Sequence, residues 1–156
     1  MERLSINPYA VRRLLTVETL PFLVNDSIVT SITTTTLHDL LWSGSLFYTD
    51  YRLQSQYETT PRYTAYTDAY FYICPQSGNF LPLAIRTNTG SNLIYTPEDS
   101  PLDWLLAKMM LEVNDVFSAD TYHLVNQHVV AEAVHQAALR TLSDQHPVMQ
   151  ILNRCK

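Results

Sequence analysis

Glycine is nearly missing from this chain: three residues in 156. A loop that wraps its backbone around phosphates needs several glycines close together, so no nucleotide cradle can be built. Charge is thin as well, at 16% of residues, with a net charge of −5, a pI near 5.4 and no cationic run. Affinity for nucleic acid comes largely from clustered Lys and Arg, which excludes a phosphate-binding surface. Two cysteines, Cys74 and Cys155, stand far apart and form no CxxC pair. That argues against a disulfide scaffold or a thiolate zinc site, and for free thiols in a cytoplasmic setting. No apolar stretch reaches the 18 or so residues a membrane-spanning helix requires. Met1-Glu2-Arg3-Leu4 leads into scattered charges and Pro8, which does not read as a signal peptide. The sequon Asn25-Asp26-Ser27 therefore carries little weight.

What remains is a chain about one domain long with 46% hydrophobic residues, enough to bury a modest core. Asn7 and Pro8 read as the cap and first position of a helix over residues 7–16. A short helix comes after the run Thr33 to Thr36, through Leu37, Leu40 and Leu41, with Gly44 placed to end it. Leu46 to Tyr51 suits an aromatic strand, and residues 52–67 an extended loop. Ala69 to Cys74 and Phe80 to Arg86 flank a Pro/Gly turn and read as a hairpin; Leu93 to Tyr95 adds a third strand. Pro82 cannot donate to a ladder, so it belongs at an edge or an irregularity. From Ser100, a good N-cap followed by Pro101 and Asp103, the pattern turns helical through Val116. A second, alanine-rich helix runs from about Asp120 to Leu142, and His146-Pro147 breaks it before residues 148–153 resume.

That long helix carries His123, His128, Glu132 and His135. At roughly 100° per residue, His128, Glu132 and His135 share a face, whereas His123 stands roughly 140° from His128. Two imidazoles five positions apart cannot face one ion in a regular α-helix. One π-type turn, with its wider ring, would bring them into the same sector. The pair is thus either two unrelated histidines, which the spacing alone favours, or a π-bulged metal site. A ferritin-like use of Glu132-x-x-His135 would need a second such motif, and the sequence has none.

The surroundings of the pair are less generic. Trp104-Leu105-Leu106-Ala107-Lys108, then Asp115, His123-x4-His128, Glu132 and Leu142-Ser143-x-x-His146-Pro147 resemble the central signature of lipoxygenases. Leu46-Phe47-Tyr48-Thr49-Asp50-Tyr51, Leu81-Pro82-Leu83-Ala84-Ile85 and Tyr95-Thr96-Pro97-x-Asp99 are similar to the family's upstream elements, in the same order. The resemblance covers about residues 37–153. It implies a mainly α fold with a small β-hairpin region, a fragment of the lipoxygenase catalytic domain. In that fragment residues 1–98 are mixed α/β and 99–156 helical, with no amino-terminal lipid-binding β-barrel. It further implies that His123 and His128 are the first two ligands of a non-haem iron or manganese ion, on a π-bulged core helix. Glu132 matches a carboxylate beside the site that is not a ligand, and Trp104 and Lys108 match framework positions. Ser118, where many plant and animal members have a further histidine, and the short Asp115-to-His123 interval look more like fungal, bacterial and manganese-type members.

A complete lipoxygenase takes hydrogen from the doubly allylic carbon of a polyunsaturated fatty acid, and O2 captures the resulting radical. The family's third histidine, its fourth side-chain ligand and its terminal carboxylate have no counterparts before Lys156. The resemblance therefore leaves three expectations open. The chain is a lipoxygenase segment that is active when the rest is supplied, or a non-catalytic binding or accessory descendant, or a chain that self-associates or pairs to complete a metal site. Uncovered apolar helix faces favour association.

Overall fold

The computed structural model describes residues 10–57, 65–87 and 93–152, and of Tyr122, His123, Asn126, Gln127 and Leu152 the backbone alone. The chain divides into two compact units, Met1–Val116 and Phe117–Lys156.

The first unit is built on an antiparallel meander of five strands in sequence order. These are β1 (Arg12–Arg13), β2 (Leu46–Asp50), β3 (Thr67–Ile73), β4 (Phe80–Thr87) and β5 (Leu93–Tyr95). Alternation along β3 sends side chains to both faces, and both faces are covered. Tyr70 and Tyr72 join Leu46, Tyr48, Leu83 and Ala84 in one cluster with Leu14, Phe22 and the helices α1 (Asp26–Thr33) and α2 (Leu37–Trp42). Ala69 and Phe71 join Tyr51 and Ile85 in another, closed by Ala107 and Leu111 of α3 (Pro101–Ser118) with Trp104 packed against it. The sheet is therefore sandwiched between helices. Burial of each large side chain contributes about 1.5–3 kcal/mol before conformational entropy is set against it.

Local chemistry explains the boundaries. Asn25 caps α1 by accepting from the Ser27 N–H, and Thr36 caps α2 by accepting from the Asp39 N–H. Gly44 ends α2 at φ 68°, with Ser45 N–H donating to Leu40 O and Gly44 N–H to Leu41 O. This paired closure requires a left-handed residue, which glycine adopts freely. Ser100 caps α3 reciprocally with Asp103. Pro82 sits opposite Phe71 beside a register shift, and β5 pairs only with Ile85, Arg86 and Thr87. The proline thus sits at an irregularity of β4 that β5 does not reach among the described residues, as its missing N–H demands.

Two expectations fail. Residues 1–9 lie outside the described residues, but Arg12 and Arg13 are strand, paired with Tyr48 and Phe47, and not part of a helix over 7–16. Their guanidinium groups lie 5.7 and 5.3 Å from the Tyr48 and Phe47 ring centroids, so sheet contacts override the local capping signal. The stretch expected as an extended loop holds a 3₁₀ turn at Arg52–Gln56 with Gln54 buried; residues 58–64 of it lie outside the described residues.

The second unit is helical. A π-helix spans Ala119–Val129, followed by α4 (Val130–Thr141) and α5 (Pro147–Leu152). The mainly helical, small-sheet character expected from sequence holds.

Candidate functional site

Both histidines of the candidate pair fall inside the π-helix, which runs for 11 residues and not for a single turn. Hydrogen bonding to the fifth residue widens the backbone ring, so positions 123 and 128 are brought toward one side of the helix axis. His128 is exposed, and the side chain of His123 lies outside the described residues. Among the described residues no three His, Cys, Asp or Glu side chains are grouped to hold a metal ion.

The stretch expected to present His128, Glu132 and His135 spans two elements. His128 belongs to the π segment and Glu132 and His135 to α4. Glu132 points outward, its side chain 63% exposed, while that of His135 is 12% exposed. Their closest approach is His135 Nδ1 to Glu132 Oε2 at 3.9 Å. Glu132 Oε1 accepts from Gln136 Nε2 at 2.7 Å.

Trp104 and Lys108 stand one helical turn apart on α3, in the first unit. Trp104 packs against the core cluster of Phe71 and Leu111, and Lys108 Nζ lies 5.7 Å from the Trp104 ring centroid. The ammonium near the ring is a cation–π contact.

The buried polar residues of α3 were not singled out by sequence patterning. Asn114 and Asp115 are each 1% exposed. Asn114 Oδ1 accepts from the Thr67 backbone N–H at 2.8 Å and from the Thr67 hydroxyl at 2.9 Å, and its Nδ2 donates to Ala65 O at 3.0 Å. Its own carbonyl accepts from Gln54 Nε2 at 2.7 Å. Asp115 accepts from the Tyr51 hydroxyl at 2.6 Å. Asn114 and Asp115 of α3 are therefore fixed to the sheet of the first unit by an enclosed network. Only the Asp115 signature and the DY of Asp50-Tyr51 hinted at it.

A second buried charge lies inside the sheet. Asp68, 1% exposed, accepts from Tyr48 at 2.8 Å and from Arg86 Nε at 2.9 Å, with Arg52 3.6 Å away. Burial, then the hydrogen bond and charge of Asp68, raise the Tyr48 phenol far above its ordinary value, so it remains a donor. Burial likewise pushes Tyr70 up to about 12, its hydroxyl donating to Phe22 O at 2.8 Å.

No family model matches the sequence. Individual proteins do. Manganese lipoxygenase of Colletotrichum gloeosporioides is 54% identical over 156 residues, 99% of this chain and 26% of that protein. Manganese lipoxygenase of Gaeumannomyces tritici is 50% identical over 99% of this chain and 25% of its own length. The human polyunsaturated fatty acid lipoxygenase ALOX15B is 33% identical over 95% and 23%. Among solved structures, manganese lipoxygenase of Gaeumannomyces graminis superimposes with a TM-score of 0.85 at 49% identity, covering 98% of this chain and 28% of that one. Helices on both sides of an antiparallel sheet in one unit, and a π-helix in the other, define the class: a helix-rich piece of a larger fold that carries a small antiparallel sheet. The chain belongs to the lipoxygenase family, with manganese lipoxygenases among its relatives at 46–54% identity. It spans about a quarter of the length of the curated relatives it matches.

Proposed function

We propose that this chain is the segment of a lipoxygenase catalytic domain that contributes two imidazole donors, His123 and His128, to a non-haem metal ion. The complete domain would form hydroperoxides from polyunsaturated fatty acids and O2. The observation that carries this reading is the π-helix over Ala119–Val129, which holds both histidines in a chain half identical to manganese lipoxygenases.

The donor set fits the group. Neutral imidazoles suit iron and manganese, and further nitrogen or oxygen donors would come from polypeptide beyond these residues. Manganese is the ion in the names of the relatives at higher identity. When bound, such an ion supplies one-electron redox chemistry and acidifies a coordinated water. Within the first unit, Asn114, Asp115 and Tyr51 tie α3 to the sheet. Glu132, whose carboxylate receives the Gln136 amide, takes the role of a structural neighbour and not a ligand. Trp104 and Lys108 serve as framework.

Among the described residues no helix is long and apolar enough to cross a membrane. The cytoplasmic setting is part of the same proposal, supported by Cys74 as a free thiol.

The test is metal retention and turnover. The chain is expressed alone and together with the polypeptide C-terminal to the matched stretch in the Colletotrichum relative. Manganese and iron are measured after gel filtration, and diene absorbance is monitored with linoleate under oxygen. The expected result is about one metal per chain and linoleate oxidation only with the added polypeptide, both lost in His123→Ala and His128→Ala. Metal content indifferent to both substitutions would sink the ligand assignment. A folded complex with neither metal nor turnover would favour the accessory, non-catalytic role.

A further inference from the structure

Between β3–β4 and α3 the first unit holds an open cavity of about 290 Å³, lined by Phe71, Phe80, Pro82 and Leu111 with Lys108 and Glu112 beside them. Phe71 and Pro82 face each other where the register of the two strands shifts. A bulge bends its strand, which leaves room between sheet and helix. Phe71 and Phe80 stack with centroids 5.3 Å apart and planes 7° from parallel, so one wall is flat and apolar.

Two charges stand at this cavity, one helical turn apart on α3, and they do not neutralise each other. Among the described residues neither Lys108 nor Glu112 forms an ion pair. Lys108 is half-buried, its Nζ held 5.7 Å from the Trp104 ring centroid. At that distance the ring accepts none of the ammonium's three N–H donors. The cation has thus lost part of its water without gaining an anion. Of the two charges, Lys108 is the one that an aromatic contact keeps in place, and a partner meets it with less ordering cost.

We infer that this cavity binds a small apolar monocarboxylic acid, its carboxylate accepting from Lys108 Nζ and its hydrocarbon lying against Phe71, Phe80 and Pro82. Charge complementarity selects the head, and the apolar wall selects the tail. The volume holds roughly ten water-sized atoms at about 30 Å³ each, which sets the length at about eight to ten carbons. Glu112 opposes the ligand's charge and so limits its affinity. Every lining residue lies in the first unit, so the inference is independent of whether His123 and His128 hold a metal.

The experiment is isothermal titration of the whole chain with sodium octanoate and decanoate, compared with octan-1-ol and octylamine. Affinity should rise about three- to fourfold per added methylene and level off at about ten carbons. The neutral alcohol and the amine should bind about tenfold more weakly than octanoate. Lys108→Gln should weaken octanoate about tenfold, whereas Lys108→Arg keeps the charge and should stay within about threefold of the parent. Glu112→Gln should tighten binding about twofold, the opposite sign on the same helix face. All three variants should unfold within about 2 °C of the parent, so that lost binding is not lost fold. In Trp42→Phe, where Trp104 is the remaining tryptophan, octanoate should shift the indole emission, and Lys108→Gln should abolish that shift. Octylamine or octan-1-ol binding as tightly as octanoate, affinity unchanged in Lys108→Gln, or no binding at millimolar acid would each overturn the site. Light scattering that shows decanoate splitting a dimer would make a second copy the occupant, and would overturn it too.

Discussion

The two units of this chain use apolar residues in opposite ways. In the first, Leu46, Tyr70, Leu83 and Ile85 are 0% exposed, held between helices on both faces of the sheet. In the second, the described residues that are buried are Ala119, Ala138 and Met149, while Leu124, Val125, Val129, Val130, Val134, Val148 and Ile151 are 45% or more exposed. Apolar content is similar; what differs is whether anything covers it. Enclosed apolar side chains contribute their transfer free energy to the fold, whereas displayed ones bury little surface and remain free to meet another surface. The segment bearing the candidate ligands belongs to the second kind.

The sharpest way to break that contrast is to delete methyl groups in each unit. Leu83→Ala, at the centre of the sheet, should destabilise the chain by about 2–5 kcal/mol in urea denaturation, since a cavity is left in a closed core. Val134→Ala, on the open face of α4, should change stability by less than about 0.5 kcal/mol. Similar costs at both sites would show that the helical unit is covered, by self-association or otherwise, and gel filtration with light scattering would identify a second copy.

Next in size is Asn114→Ala. It strands the Thr67 N–H and the Ala65 carbonyl inside the protein, groups now bonded at 2.8 and 3.0 Å. The expected loss is about 2–3 kcal/mol, read from the urea midpoint, and it should be accompanied by faster hydrogen exchange at Thr67. A loss no larger than that of an exposed Asn would mean the network does not anchor α3.

How far the sequence alone reaches differs between the units for a physical reason. Strand signals at Leu46 to Tyr51, Ala69 to Cys74 and Phe80 to Arg86 are local alternations reinforced by a Pro/Gly turn, and Gly44, Ser100 and Pro147 mark helix ends by backbone chemistry. Those positions are read correctly. The helix at Asp26–Thr33 has no such legibility: Val29, Thr30, Ile32 and Thr33 are β-branched and argue for strand, and it is the Asn25 cap and burial of Val29 that make it a helix. The strand at Arg12–Arg13 depends on partners more than 30 positions away. At the candidate site, the HxxxxH spacing alone favoured two unrelated histidines and the family resemblance implied a π-bulge, but the extension of the π-helix to 11 residues has no local sequence cause that we can name. Asn114 was invisible because an asparagine inside a helix looks like any solvated residue until its partners on the sheet are known.

A smaller and opposite effect is expected at Thr34. It closes α1 in a left-handed conformation, φ 64°, which crowds a β-branched side chain. Thr34→Gly should stabilise the first unit by about 1 kcal/mol, the relief of local strain exceeding the gain in unfolded-chain freedom and the loss of the Gln76 contact at 2.8 Å. A destabilised variant would show that the Gln76 hydrogen bond dominates.

The smallest expected effect separates ionic from apolar stabilisation within the first unit. Burial would raise the Asp50 carboxyl, but hydrogen bonds from the Arg52 side chain and backbone outweigh it and hold the carboxyl below its ordinary range. A depressed carboxylate contributes stability that is fully present above its unfolded value of about 4 and fades as pH falls through the lower folded value. The urea midpoint should therefore lose this contribution only below about pH 4, and Asp50→Asn should flatten that part of the profile while leaving the slope above pH 5 unchanged. Because the Asp50 side chain is 34% exposed, solvent screening keeps the effect below about 1 kcal/mol. If Asp50→Asn leaves the acid limb as steep as before, the Arg52 hydrogen bonds to Asp50 do not carry that limb.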